Sequence, residues 1–296
     1  MNTPPIMNTQ TANLPLPVIA PAETDDELAL LLSEPFIRAW QLPVANNAAV
    51  PAVRSRLLER VTASRAAEAA LTTARRTRVT RETLCAGVVA QTLYCAPTDR
   101  APRPGEPLRA RLIELAAGAQ LAPDLLAARQ QRTARHCEWL VLSGSIDADG
   151  ATLRQRDYQV IPAGHDLPAL TSHDGALLFL RESEPLAGPA EAPSSMLDGN
   201  AGWADFAPGI QRRVLWQRAG QAALLYFVQP GTQVPLHRHG HDEECLMLQG
   251  DLFLDDILLR PGDYQLAPAG TNHRITETDT GVVLYVHGDL ELIFLA

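Results

Sequence analysis

The chain has 296 residues, 46% of them hydrophobic but only 5% aromatic, and a formal net charge of −9. That is enough apolar material for a core filled mainly by Leu, Val and Ala, in one large domain or two to three small ones. The acidic balance argues against a general binder of nucleic acid or of anionic membranes, and because all 25 basic residues are arginine, lysine Schiff-base chemistry and a Walker-type phosphate loop are excluded.

Residues 1–21, rich in Pro, Asn and Thr, read as a disordered tail. They lack the basic flank and compact apolar core of a signal peptide. Residues 22–77 read as a helical arm. Thr24 can cap a first helix whose opening Asp25, Asp26 and Glu27 suit its positive end, with Pro35 after its end. Pro51 starts a second helix running to Arg75, in which Val53, Leu57, Leu58 and Val61 recur at helical spacing. Eight arginines between Arg54 and Arg81 make this region basic within an acidic chain: a solvated face, or a surface for an acidic partner.

From about Arg78 the texture changes to short β-rich runs broken by Pro, Gly and Asp, the pattern of a barrel or sandwich. An internal repeat sets the domain count. Asp157–Gly164 (DYQVIPAG) matches Asp263–Gly270 (DYQLAPAG), and at the same offset Glu138 and Gly144 meet Glu244 and Gly250. Two barrels are expected, at 78–187 and 188–296. No apolar run reaches the roughly 18 residues of a membrane span. The four cysteines, Cys85, Cys95, Cys137 and Cys245, make no C-x-x-C pair and fit a reducing cytoplasm.

The second copy carries the chemistry. It reads Gly231-x5-His237-x-His239-x3-Glu243-x6-Gly250, then Gly262-x5-Pro268-x-Gly270-x2-His273. Side chains alternate along a strand, so His237 and His239 share a face, and with Glu243 and His273 they can form a metal site. Imidazoles plus a carboxylate suit Zn, Fe, Mn, Ni or Cu rather than a closed Cys-rich site. His241 can serve as a rim group or an alternative ligand. Glu244 should point to the opposite face from Glu243, in a structural role shared with Glu138. Cys245 reads as core, and Trp203, Phe206, Trp216, Tyr226 and Phe227 as packing, with one or two lining a pocket. In the first copy the ligand positions fall on Gln131, Thr133, Cys137 and Leu167, so that barrel should be metal-free. A displaced site from His136, Cys137 and His165 is the alternative.

This spacing matches both motifs of the cupin superfamily. With an Arg-rich helical segment upstream and GWADFAPGIQRRVLW before the metal strands, the chain resembles the ChrR-type cupins. The resemblance implies a mainly β fold of two tandem double-stranded β-helix (jelly-roll) barrels behind a short helical segment. It also implies one divalent metal, zinc first and Fe, Mn or Ni next, on His237, His239, Glu243 and His273. ChrR-type proteins are anti-sigma factors that sense oxidative stress, so the implied partner is a sigma factor held by the helical arm, with a homodimer also expected. The family's N-terminal His and His-x3-Cys-x2-Cys zinc motif is absent here: no His precedes His136. The second functional class is a non-haem metal dioxygenase or related cupin oxidoreductase using the same four ligands.

Overall fold

In the computed structural model the described residues are 71–127, 129–200, 202–273 and 275–295, with scattered positions between 54 and 70. The tail and first helix of the sequence reading lie outside them. Every described residue between 54 and 70 is helical, but the expected second helix does not reach Arg75: Thr72–Ala74 is a strand. The β-branched pair Thr72–Thr73 and a place on a sheet edge outweigh helical spacing there.

Two large antiparallel sheets dominate. The first runs in the order Ser194–Met196, Tyr158–Ile161, His136–Ala148, Ala176–Ser183, Pro107–Leu115, Val88–Cys95 and Arg81–Cys85. The second runs Thr72–Ala74, Tyr264–Ala267, Glu243–Gly250, Val282–Asp289, Gln221–Val228, Ile210–Arg218 and Ala204–Ala207. The edge strands are exchanged. Thr72–Ala74, which precedes the first barrel in sequence, pairs with the second barrel's Tyr264–Ala267. Ser194–Met196, which opens the second repeat, pairs with the first barrel's Tyr158–Ile161. Each exchange covers an edge that would otherwise leave a row of backbone groups unpaired.

Alternation along the strands divides the apolar side chains among three cores. Trp139, Val141, Leu178 and Leu180 fill the first barrel, while their neighbours Leu140 and Phe179 point outward. Leu224, Met247, Leu284 and Val286 fill the second, while Leu225, Leu246 and Tyr285 point outward. The outward residues meet in one shared core between the barrels. Gly144 and Gly250 recur for a steric reason. Both have φ +72°, and a Cβ would lie 2.0 Å from the Gly175 carbonyl oxygen in one copy and 1.9 Å from that of Gly281 in the other.

A buried charge cluster sits in that shared core. Arg181 reaches Glu138 of its own barrel at 2.8 Å through Nη1 and donates through Nε to Glu244 of the other. Tyr264 donates to Glu244 at 2.7 Å, Tyr158 donates to Glu138, and His136 and His287 approach Glu138 at 3.2 and 3.4 Å. This is the shared role expected of Glu138 and Glu244. Burial alone would push the Glu138 carboxyl up, but the charges of His287 and Arg181 hold it well below the usual carboxylate range. Arg181→Leu should therefore leave two buried carboxylates without a counter-charge and destabilise the protein by about 3–5 kcal/mol. Adding Glu138→Gln and Glu244→Gln should recover much of the loss in a thermal or urea melt.

Candidate metal centre

The site sits where three very short strands meet. His237–Arg238 pairs on one side with Asn272–His273 and on the other with Ile293–Phe294, and His237 stands directly opposite His273. The chain continues past the strand, anchored by His239 N–H to the Thr271 carbonyl at 3.0 Å, then turns at Gly240 and enters the strand Glu243–Gly250. The ring centroids of His237 and His239 are 5.1 Å apart, His239 and His273 5.0 Å, and His237 and His273 5.9 Å. Glu243 lies 3.4 Å from His239 Nδ1 and 3.8 Å from His273 Nε2. One donor atom from each of His237, His239 and Glu243 falls within 4.8 Å of the others. All four side chains are buried.

Neighbouring groups orient the rings. His237 Nδ1 is 2.9 Å from the Pro235 carbonyl oxygen, and His273 Nδ1 is 3.4 Å from Asp255. Both contacts leave Nε2 free to face the centre. Both nitrogens of His239 and Nε2 of His273 are buried without a hydrogen-bond partner. Buried polar atoms are costly when unpartnered, so a donor set in this state fits a bound cation. The electrostatics agree. Burial would raise the Glu243 carboxyl, yet His239 first and then His273 and His237 bring it down to about 2. His237 is lowered by burial, whereas Glu243 outweighs burial at His239 and raises it. Three imidazoles and an ionised carboxylate suit Zn, Mn, Fe or Ni.

The centre opens on a small cavity of about 60 Å³ inside the second barrel. Ile210, Val228, Leu252, Leu284 and Val286 form much of its wall, with Phe206 and Tyr226, two of the five aromatic residues among which a pocket lining was expected, beside them. No arginine lines it among the described residues, and Asp289 adds a second carboxylate to Glu243. Burial pushes the Tyr226 phenol up to about 12, so it stays a hydroxyl. His241 is a rim group: its Nδ1 bonds Asp289 at 2.5 Å, outside the cluster. Cys245 follows Glu243 by two residues, lines the cavity, and lies 3.7 Å from the Glu243 carboxylate. Sequence reasoning missed Asp255 and Asp289. Neither lies in the motif, and each reaches the site from another strand or turn.

The first barrel lacks this arrangement. Cys137 pairs with Ile161 as Glu243 pairs with Ala267, the register that the repeat demands. Cys137 and Leu167 are packed into the apolar core, and Gln131 and Thr133 lie on the short helix Arg129–Thr133. The displaced alternative is not assembled. His136 turns to Trp216, at 5.1 Å between rings, and His165 bonds only the Pro162 carbonyl. A carboxylate is still present, one strand over. Glu182, in register with Cys137, binds Arg109 and, at 3.1–3.3 Å, Arg135 and Arg111. Fixed guanidiniums occupy the mouth of this barrel.

Residues 196–291 match the model for the ChrR cupin-like domain. The second barrel is a ChrR cupin-like domain. No curated protein matches the chain by sequence. Among solved structures, a Nostoc punctiforme protein provisionally described as a dioxygenase aligns with TM-score 0.54 at 14% identity, covering 76% of this chain and 87% of its own. The oxalate decarboxylase of Lactobacillus farciminis, solved with formate, aligns with TM-score 0.53 at 14% identity over 75% and 87%. Bacillus subtilis oxalate decarboxylase, described with Mn(II) centres, aligns with TM-score 0.52 at 14% identity over 74% and 77%. These likenesses establish the fold: tandem cupin barrels. Among the described residues, no helix is long and apolar enough to cross a membrane.

The four cysteines are free thiols. Burial raises the thiols of Cys137 and Cys245, whereas Cys95 is exposed and Cys85 partly so. A thiol reagent such as dithiobis-nitrobenzoate should titrate Cys95 first and Cys85 next in the folded protein. Cys137 and Cys245 should react only in denaturant.

Proposed function

We propose that the chain is a metal-binding regulator of ChrR type, in which His237, His239, Glu243 and His273 hold one divalent transition metal, zinc first among the candidates. The observation that carries the metal reading is the convergence of buried, unpartnered imidazole nitrogens on an ionised carboxylate. The bound metal would cross-link strands too short to hold themselves together, and its loss, or its oxidation where the metal is iron or manganese, would change what the protein binds. The ChrR cupin-like match supports the regulatory reading, and the helical segment supplies a surface. Leu58 is 57% exposed and Val61 48% exposed, so apolar area is free to cover a partner helix or a second copy. The sigma factor implied by the ChrR-type resemblance is the proposed partner, and the free thiols support a reducing cytoplasm as its place of action.

One observation favours a second reading, a metal-dependent oxygenase or other cupin oxidoreductase. The centre faces a small, mostly apolar cavity with room for a ligand of a few atoms. Among the described residues that cavity has two carboxylates and no guanidinium in its wall, which suits a small neutral substrate better than a dianion such as oxalate. In either case this chain's residues bind and orient: Asp255 and the Pro235 carbonyl fix the tautomers of His273 and His237, and the apolar wall excludes water.

Protein purified without added metal should contain one equivalent per chain by elemental analysis. His239→Ala should abolish it, and Asp255→Asn should weaken affinity by about 10- to 100-fold. Wild-type protein free of metal, with a melting temperature unmoved by added zinc, manganese or iron, sinks the metal reading. Leu57→Asp with Leu58→Asp separates the two functions. In a regulator, capture of the sigma factor is lost while metal content and barrel melting stay. If the same variant retains turnover of a neutral organic substrate with oxygen, the enzyme reading replaces the regulatory one.

A further inference from the structure

The two exchanged edge strands occupy the same place in the repeat. Thr72 pairs with Leu266 and Ala74 with Tyr264, while Ser194 pairs with Val160 and Met196 with Tyr158, the repeat equivalents. Two residues beyond each strand the backbone makes the same bond: Arg76 N–H donates to Asp263 at 3.1 Å, and Asp198 N–H to Asp157 at 2.7 Å. Arg76 and Asp198 are therefore counterparts of opposite charge.

The reversal has local consequences. On the first barrel Asp198 neutralises two arginines, binding Arg156 at 2.7 and 3.0 Å and Arg213 as well. On the second, the position of Arg156 is Gly262, where a Cβ would lie 2.3 Å from Arg76 Cδ. The glycine clears the seat on which the Arg76 stem lies. No carboxylate replaces Asp198. Asp263 is already engaged by Arg75 at 2.7 Å and by the backbone N–H groups of Arg76 and Arg260. Among the described residues, the guanidiniums of Arg76, Arg78 and Arg260 have no carboxylate partner, and Arg81 shares an exposed one, Glu114.

These side chains line one cleft of about 830 Å³, outside the metal barrel's cavity. Its floor is rigid. The turn from Arg75 to Val79 is closed by Arg78 N–H and Val79 N–H on the Arg75 carbonyl, at 2.8 and 3.1 Å. Gln91 then clamps it, donating to the carbonyls of Arg76 and Val79. In a chain of net charge −9 this is a local concentration of positive charge, which favours an anion over a cation in the cleft.

We propose that this cleft binds a small polyanion carrying at least two phosphate groups. Arginine forks match phosphate oxygens in pairs and stay charged at any physiological pH. Three of them from two fixed elements exceed what one monoanion can satisfy, and a pre-set concave turn suits a compact ligand better than a long acidic surface.

Pyrophosphate is the probe, titrated calorimetrically into the full-length, metal-loaded protein. One equivalent should bind saturably, more tightly than inorganic phosphate, and the affinity should fall as salt rises. Arg76→Asp, which installs the first barrel's residue, should weaken binding by at least about tenfold, as each lost fork removes paired charge-assisted bonds. Arg260→Gln, which leaves the Arg76 seat untouched, should weaken it too. Metal content and melting temperature should be unchanged in both. Absence of saturable binding at millimolar pyrophosphate overturns the proposal, as does equal binding by wild type and both variants. Binding of poly-glutamate without binding of pyrophosphate also overturns it, and marks the cleft as a protein-docking surface instead.

Discussion

The structure turns on one guanidinium. Arg181 is buried between the barrels and touches a carboxylate of each, Glu138 and Glu244, whose remaining lone pairs are taken by tyrosines. Such a group specifies an arrangement more than it adds stability, because only one docking of the two sheets satisfies both carboxylates together. The apolar residues around it, Leu140, Phe179, Leu246 and Tyr285 among them, would tolerate sliding; the charges do not. The exchanged edge strands reinforce the same relation, since each barrel's sheet is completed by chain that belongs in sequence to the other repeat.

With the docking fixed, the two barrels were free to diverge at their mouths. Glu243 in the second barrel is Cys137 in the first, and Gly288, packed 3.3 Å from Glu243 by the measure of a placed Cβ, corresponds to Glu182. The carboxylate has crossed to the adjacent strand. In its new place it is met by Arg109, Arg111 and Arg135, in the region where the other barrel gathers three imidazoles. Both mouths thus balance a buried carboxylate. One does so with covalently fixed cations, the other with neutral donors suited to a cation from solution.

Much of this was legible in the sequence. The centre was readable because its ligands lie within two short motifs, so spacing alone carries the geometry. Gly144 and Gly250 marked the repeat because a steric prohibition, the carbonyl under each Cβ, allows no other residue. The inter-barrel cluster was only half readable. Glu138 and Glu244 match across the repeat, but their partner Arg181 corresponds to His287, and no local pattern ties either to a glutamate on another sheet. Asp255 and Asp289 escaped for the same reason. Thr72–Ala74 escaped because helical spacing upstream continues smoothly into it, and only a long-range partner, Tyr264–Ala267, makes it a strand.

The metal centre and its scaffold also differ in how they are held. The large sheets are secured by long ladders and three apolar cores, but the strands bearing His237 and His273 are two residues each, as is the strand Ile293–Phe294 beside them. Fixing each backbone residue costs about 1–2 kcal/mol, and so short a ladder returns little of it. Buried imidazole nitrogens without partners add to the cost. A ligand bound to the imidazoles would therefore contribute a large share of what holds this segment closed. Arg181 and the shared core lie on the opposite face of the strand that starts at Glu243, so opening of this segment leaves the docking of the barrels intact. Occupancy of the site would then bear on the edge formed by His237–Arg238 and Ile293–Phe294 while the large sheets and their cores stay in place.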